Sequence, residues 1–151
     1  MDELVPNMRS KSLFHITPLL YDKQLQCASF DLQLDLTVPA TTHDLDLSPL
    51  FERYPKLRIH RCDSGHHRSF FDEARQTETA HLLEHIAVEL LSLSGVPRDR
   101  AHGETGIPRL PCLKGGQATY RLRFYGADSL EQMDLLLRQA ASIFESYVLE
   151  N

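Results

Sequence analysis

The stretch "TETAHLLEHIAVELLSLSG" constrains the fold most, because residues 77 to 94 are eighteen positions with neither Gly nor Pro, and Gly95 follows at once. Leu82, Leu83, Ile86, Ala87, Leu90 and Leu91 recur in it at helical spacing. That spacing predicts one long amphipathic helix with Thr77 as its N-cap and Gly95 just past its end. Such a helix must bury its apolar face against a second layer. Two alternating segments supply one. In "LQCASFDLQLDLTV", residues 25 to 38, Phe30, Leu32, Leu34 and Leu36 alternate with polar neighbours, and in "QATYRLRFYG" Tyr120, Leu122 and Phe124 alternate with Arg121 and Arg123. Both patterns predict strands with one buried face.

The remaining signals fill in around these three. "LSPLFERYP" predicts a short helix with Ser48 as N-cap and Pro49 at its first position. "KLRIHRC" alternates so that Leu57 and Ile59 face one way and His60 and Cys62 the other, as on a strand. From Ser129, "SLEQ" is a capping-box pattern opening a last helix that runs to about Val148, with Met133, Leu136, Leu137, Ala140 and Phe144 along one stripe. Residues 1 to 24 read as an irregular N-terminal segment, and residues 95 to 117 as a long loop punctuated by Gly and Pro, functional or mobile in character. The expected architecture is a single α+β domain over residues 1–151: two layers, with a small, mainly antiparallel sheet and helices packed on one face. At 151 residues the chain is long enough for one real core.

Charge narrows the partners. A formal charge of −5 argues against nucleic acid, whose binders need a basic surface. Twelve Arg against four Lys favour sites that grip planar carboxylates. Cys27, Cys62 and Cys112 are an odd number at wide spacing, which fits reduced thiols in the cytoplasm rather than a disulfide framework. "MDELVPNMRSKS" lacks the apolar core of a signal peptide, and no run approaches the length that crosses a membrane. The expectation is a soluble cytoplasmic protein that folds alone or as a small homo-oligomer.

The central helix also carries His81, Glu84 and His85 in the order H-x-x-E-H, the inverse of H-E-x-x-H and a known peptidase arrangement. Residues four apart project in nearly the same direction about 6 Å apart along the axis, which suits two imidazoles on one zinc ion. Glu84 lies between them, within reach of a proton released by water activated there. A polar stripe opposite an apolar face is also what any solvated helix shows. Against that, no Lys or Arg occurs between Gln76 and Pro97, and a dication site excludes nearby cations. Glu89, one turn after His85, is placed to hold that ring as a supporting partner. Zinc needs a third protein ligand; His60 and Cys62 are the leading alternatives, followed by His66, His67, His102 and Glu104. Arg98 and Arg100 are candidates to bind a substrate carboxylate or stabilise an oxyanion.

"AHLLEHIAVELLSLSG" resembles the central helix of the N-terminal domain of cyanophycin synthetase. "LFERYPKLRIHRCDSGHHRSFF" is similar to that domain's H-x-C-S-x-G segment, "GVPRDRA" to its Arg-Thr-Arg segment, and "ATYRLRFYGADSLEQMDLLLRQA" to its final strand and helix, so the resemblance covers roughly residues 45 to 148. It implies a metal-dependent hydrolytic site that cuts cyanophycin, a poly-aspartate bearing arginine on each side chain. His81 and His85 would bind the metal and Glu84 would be the general base. An acidic chain suits an Arg-rich substrate. The synthetase's ATP-grasp and ligase modules are not among these residues, so the chain is not expected to make the polymer. Asp63 stands where the family usually has Ser, and "SGHHRSFF" and "RDRAHGETG" depart from the family's pattern, which bears on the substrate more than on the metal. The expectation is a zinc-dependent hydrolase of a peptide-like bond in cyanophycin or a related Arg/Asp-rich peptide. The alternatives are a non-catalytic binding module of the same fold, which recognises a polymer or partner protein, and a structural domain with a vestigial helix.

Overall fold

Period-two burial builds the sheet. The structure, a computed structural model, describes residues 13–62, 69–106 and 119–150. Strands β1 (Phe14–Asp22), β2 (Cys27–Leu34), β3 (His102–Gly106) and β4 (Thr119–Tyr125) form one antiparallel sheet in the order β1-β2-β4-β3. Ala28, Phe30 and Leu32 from β2 and Tyr120, Leu122 and Phe124 from β4 are buried on the inner face. The outer face is polar, and across it Arg121 Nε donates to Asp31 Oδ1 at 2.6 Å.

The helices cover the inner face. In chain order they are α1 (Ser48–Arg53), α2 (Phe70–Glu73), α3 (Thr79–Leu93) and α4 (Leu130–Phe144). Helix α4 lies over β1 and β2, α3 over β3 and β4, and the two helices pack on each other. The buried apolar residues of all these elements form one cluster. This is the two-layer α+β domain with helices on one face. Among the described residues no helix is long and apolar enough to cross a membrane.

Ser129 caps helix α4 as its pattern predicts, while the return bond of Gln132 reaches one residue further back than a capping box places it. Ser129 Oγ accepts from Gln132 N at 3.0 Å, and Gln132 Oε1 accepts from Asp128 N at 2.9 Å. Ser129→Ala should therefore cost about 1 kcal/mol, read as a lower urea midpoint at unchanged slope.

Four expectations are corrected. The irregular segment 1 to 24 contains β1, an edge strand whose alternation breaks at a register shift between Pro18 and Leu20. The loop 95 to 117 contains β3, which has no large apolar residue and is held by its pairing with β4; residues 107 to 117 lie outside the described residues. "KLRIH" is not a strand: Pro55–Ile59 is a 3-10 helix that buries Leu57 and leaves Ile59 67% exposed. Helix α3 begins at Thr79, so Thr77 is not its cap. Its start is instead stapled to the segment between β2 and α1, where Thr79 N donates to Ala40 O at 2.8 Å and Thr42 N to Thr77 O at 2.9 Å.

Candidate metal centre

The polar stripe of α3 is not solvated. His81, Glu84, His85 and Glu89 retain 8%, 3%, 6% and 3% of their exposure, so the helix is buried on both faces. Groups with this desolvation cost need partners or a function. The cover comes from elsewhere in the chain: His60 and Cys62 after the 3-10 helix, Phe70 at the start of α2, and the backbone of β3. The Phe70 ring stacks on His85 with centroids 3.7 Å apart and an 11° interplanar angle, which fixes the imidazole plane.

Cys62, His81 and His85 converge, each offering one ligand atom within 4.8 Å of the others. Cys62 Sγ and His81 Nε2 are 3.5 Å apart. Ligands on one tetrahedral zinc, with bonds of about 2.3 Å to sulfur and 2.0–2.1 Å to nitrogen, would sit roughly 3.5 Å apart. His81 Nδ1 meets Thr77 Oγ1 at 2.9 Å; when Nδ1 is the donor in this bond, the inward Nε2 lone pair is left available. Burial holds the His81 pKa down. Burial, then the neighbouring His81, His60 and His102, hold His85 well below the usual imidazole range. Both shifts favour the neutral ring, the form that binds a metal.

Glu84 lies between them. Its Oε1 is 3.8 Å from His81 Nε2 and its Oε2 is 3.8 Å from His85 Nε2, too far for hydrogen bonds. Burial pushes its carboxyl up to about 8, against the hydrogen bond that Thr105 Oγ1 donates to Oε1 at 3.0 Å. Gly103 of β3 passes so close that a Cβ there would stand 2.5 Å from Glu84 Oε2. Neither Gly103 nor Thr105 is signalled by the sequence, because "HGETG" has no apolar period and reads as loop.

The other expected residues divide. His60 is beside the cluster, but both its nitrogens are engaged, Nδ1 with His85 Nδ1 at 3.0 Å and Nε2 with Glu89 Oε1 at 2.9 Å. The geometry thus favours Cys62 over His60 as third ligand. Glu89 supports the site through His60, not by direct contact with His85 as expected from its position one turn on. Arg98 borders the cleft with Nη1 and Nη2 donating to the two oxygens of Glu89 at 2.8 and 2.9 Å. Burial alone would raise Glu89, but Arg98 and His60 overcome it and hold the carboxylate at about 2. Arg100 is exposed and is not among the cleft's lining residues. His102 and Glu104 line the cleft, whereas His66 and His67 lie outside the described residues.

The cluster opens into a cleft of about 860 Å³, and a second hollow of about 540 Å³ shares His81 and Thr105 with it. Among the described residues lining the two, Glu73, Glu78, Asp99 and Glu104 add acidic groups around the cluster. Residues 29–114, more than half of the chain's 151, match the family model described as cyanophycin synthase-like N-terminal domain. The match includes Cys62 and all of α3 and stops short of β4 and α4. No curated protein and no solved structure matches the chain.

Proposed function

The chain belongs to the cyanophycin synthase-like N-terminal domain family, and on that premise we propose that it is a zinc-dependent hydrolase of peptide-like bonds acting on an Arg/Asp-rich polymer or peptide. The observation that carries this reading is the convergence of Cys62, His81 and His85 around a buried Glu84 that bonds to neither imidazole. A thiolate and two neutral imidazoles are a donor set that suits zinc and leaves a fourth position open. Zinc bound there supplies Lewis acidity toward a carbonyl oxygen and activates water at neutral pH.

The remaining work belongs to the chain. Beside a bound dication the ionised form of Glu84 is favoured, and Oε2, which Thr105 does not occupy, is the oxygen that takes the proton from the attacking water. Glu84 then delivers that proton to the leaving nitrogen. Thr105 and Gly103 hold the carboxyl in one orientation. The two hollows meet at His81 and Thr105, so an extended chain has room on both sides of the scissile bond. The acidic lining and the net charge of −5 favour cationic side chains in it.

Metal analysis of the purified protein should find about one zinc per chain, and release of amine ends from a poly-aspartate carrying arginine side chains should stop on chelation and return with zinc. Protein without near-stoichiometric metal, or cleavage indifferent to a chelator, overturns the proposal. Polymer binding that persists in chelator with no cleavage under any condition would identify a binding module instead.

A further inference from the structure

Glu89 and His60 form a buried arrangement that the hydrolytic reading does not itself require. We propose that Arg98, Glu89 and His60 form a relay that locks His85 into the one tautomer able to bind a cation, so that His60 is a positioning residue and not a ligand. The inference rests on the proposed metal site and specifies how the chain prepares it.

Geometry sets the first two hydrogen-bond directions, and the proposal assigns the third. Glu89, with 3% exposure, has both oxygens held by the Arg98 fork at 2.8 and 2.9 Å. A carboxylate so paired is an acceptor only. The 2.9 Å contact between His60 Nε2 and Glu89 Oε1 is therefore donated by His60. A His60 that carries a proton on Nε2 alone presents a lone pair at Nδ1, which faces His85 Nδ1 at 3.0 Å. In this arrangement His85 donates from Nδ1. Its lone pair falls on Nε2, the nitrogen that faces Glu84 at 3.8 Å. A second proton on His60 would reverse the last bond and put a hydrogen on His85 Nε2, so the two arrangements differ at an observable atom.

Packing supports the same geometry. Phe70 stacks flat on His85, and its backbone N donates to His60 O at 2.9 Å, so one residue braces both rings of the relay. His60 has no nitrogen left for a metal. The relay also ties the turn after α3, which carries Arg98, to a ring in the cleft. Carboxylates behind metal-binding imidazoles are a known device; here a second imidazole is interposed between them.

Two measurements test this. In the uniformly 15N-labelled, metal-stripped protein, long-range proton–nitrogen correlations should show His85 protonated on Nδ1 and His60 on Nε2. Zinc affinity, by competition with a chromophoric chelator, should fall about 10–100-fold in His60→Phe and in Glu89→Gln. Binding should stay at one ion per chain and the fold should be retained by circular dichroism. His60→Asn, whose amide oxygen can accept where Nδ1 did, should recover most of the loss. A proton on His85 Nε2, wild-type affinity in both variants, or loss of all bound zinc from folded His60→Asn overturns the proposal. If the wild-type protein binds no zinc, the hydrolytic reading fails, while the tautomers of the metal-free protein still decide the relay.

Discussion

Glu84→Gln is expected to lower hydrolysis on the order of 10³-fold, measured as amine release at saturating substrate, with about one zinc per chain retained. Gln keeps the size of Glu and an acceptor for the Thr105 hydroxyl but cannot take a proton from water. The same substitution should stabilise the metal-free protein. Burial raises the folded Glu84 carboxyl from 4.5 to about 8, so between those values the folded state holds a proton that the unfolded state has lost. Stability contributed by this group is therefore greatest at low pH and falls as pH rises through that window. Chelated Glu84→Gln should gain little over wild type at pH 5 and on the order of a few kcal/mol at pH 8. Urea titrations at the two pH values measure it; equal gains at both would show that Glu84 is not held protonated by burial.

The second large effect concerns a residue with no functional atom of its own. Gly103→Ala should reduce turnover on the order of 10²-fold while leaving zinc content near one per chain. The new methyl would stand 2.5 Å from Glu84 Oε2 and 2.8 Å from its Cδ and Cγ, a separation that non-bonded atoms do not tolerate. Either β3 must lift or the carboxyl must turn away from its Thr105 bond, and a displacement of about 1 Å at the reacting group is enough for that loss. The three atoms nearest the new methyl all belong to Glu84, none to Cys62, His81 or His85. Loss of turnover with retained metal separates displaced chemistry from a damaged metal site, and unchanged turnover would show that β3 does not set the position of Glu84.

Much of the fold was legible because its central strands and long helices bury one face each. Phe30 and Leu32, and Tyr120, Leu122 and Phe124, are buried where the alternation placed them, and Ser129 caps α4 as its pattern predicts. The edges were not legible. β1 loses its period at Pro18, with Leu20 left 56% exposed, and β3 is held by backbone pairing that side-chain patterns do not record. Leu36, counted into the strand by alternation, is exposed beyond the end of β2. At the site, helical spacing was enough to bring His81, Glu84 and His85 together. It could not reveal that the stripe is buried, because His60, Cys62, Phe70 and Gly103, which bury it, come from distant segments. The choice of Cys62 over His60 likewise needed the direction in which each side chain is engaged.

The short pairing beside Cys62 holds the frame of the cluster by backbone alone. Arg61 pairs with Ser69, and Phe70 N donates to His60 O, so the chain is tied off on both sides of residues 63 to 68 immediately next to Cys62 and Phe70. The positions of Cys62 and Phe70 are thereby set by main-chain bonds, so changing the side chain of Arg61 or Ser69 leaves the frame of the cluster in place.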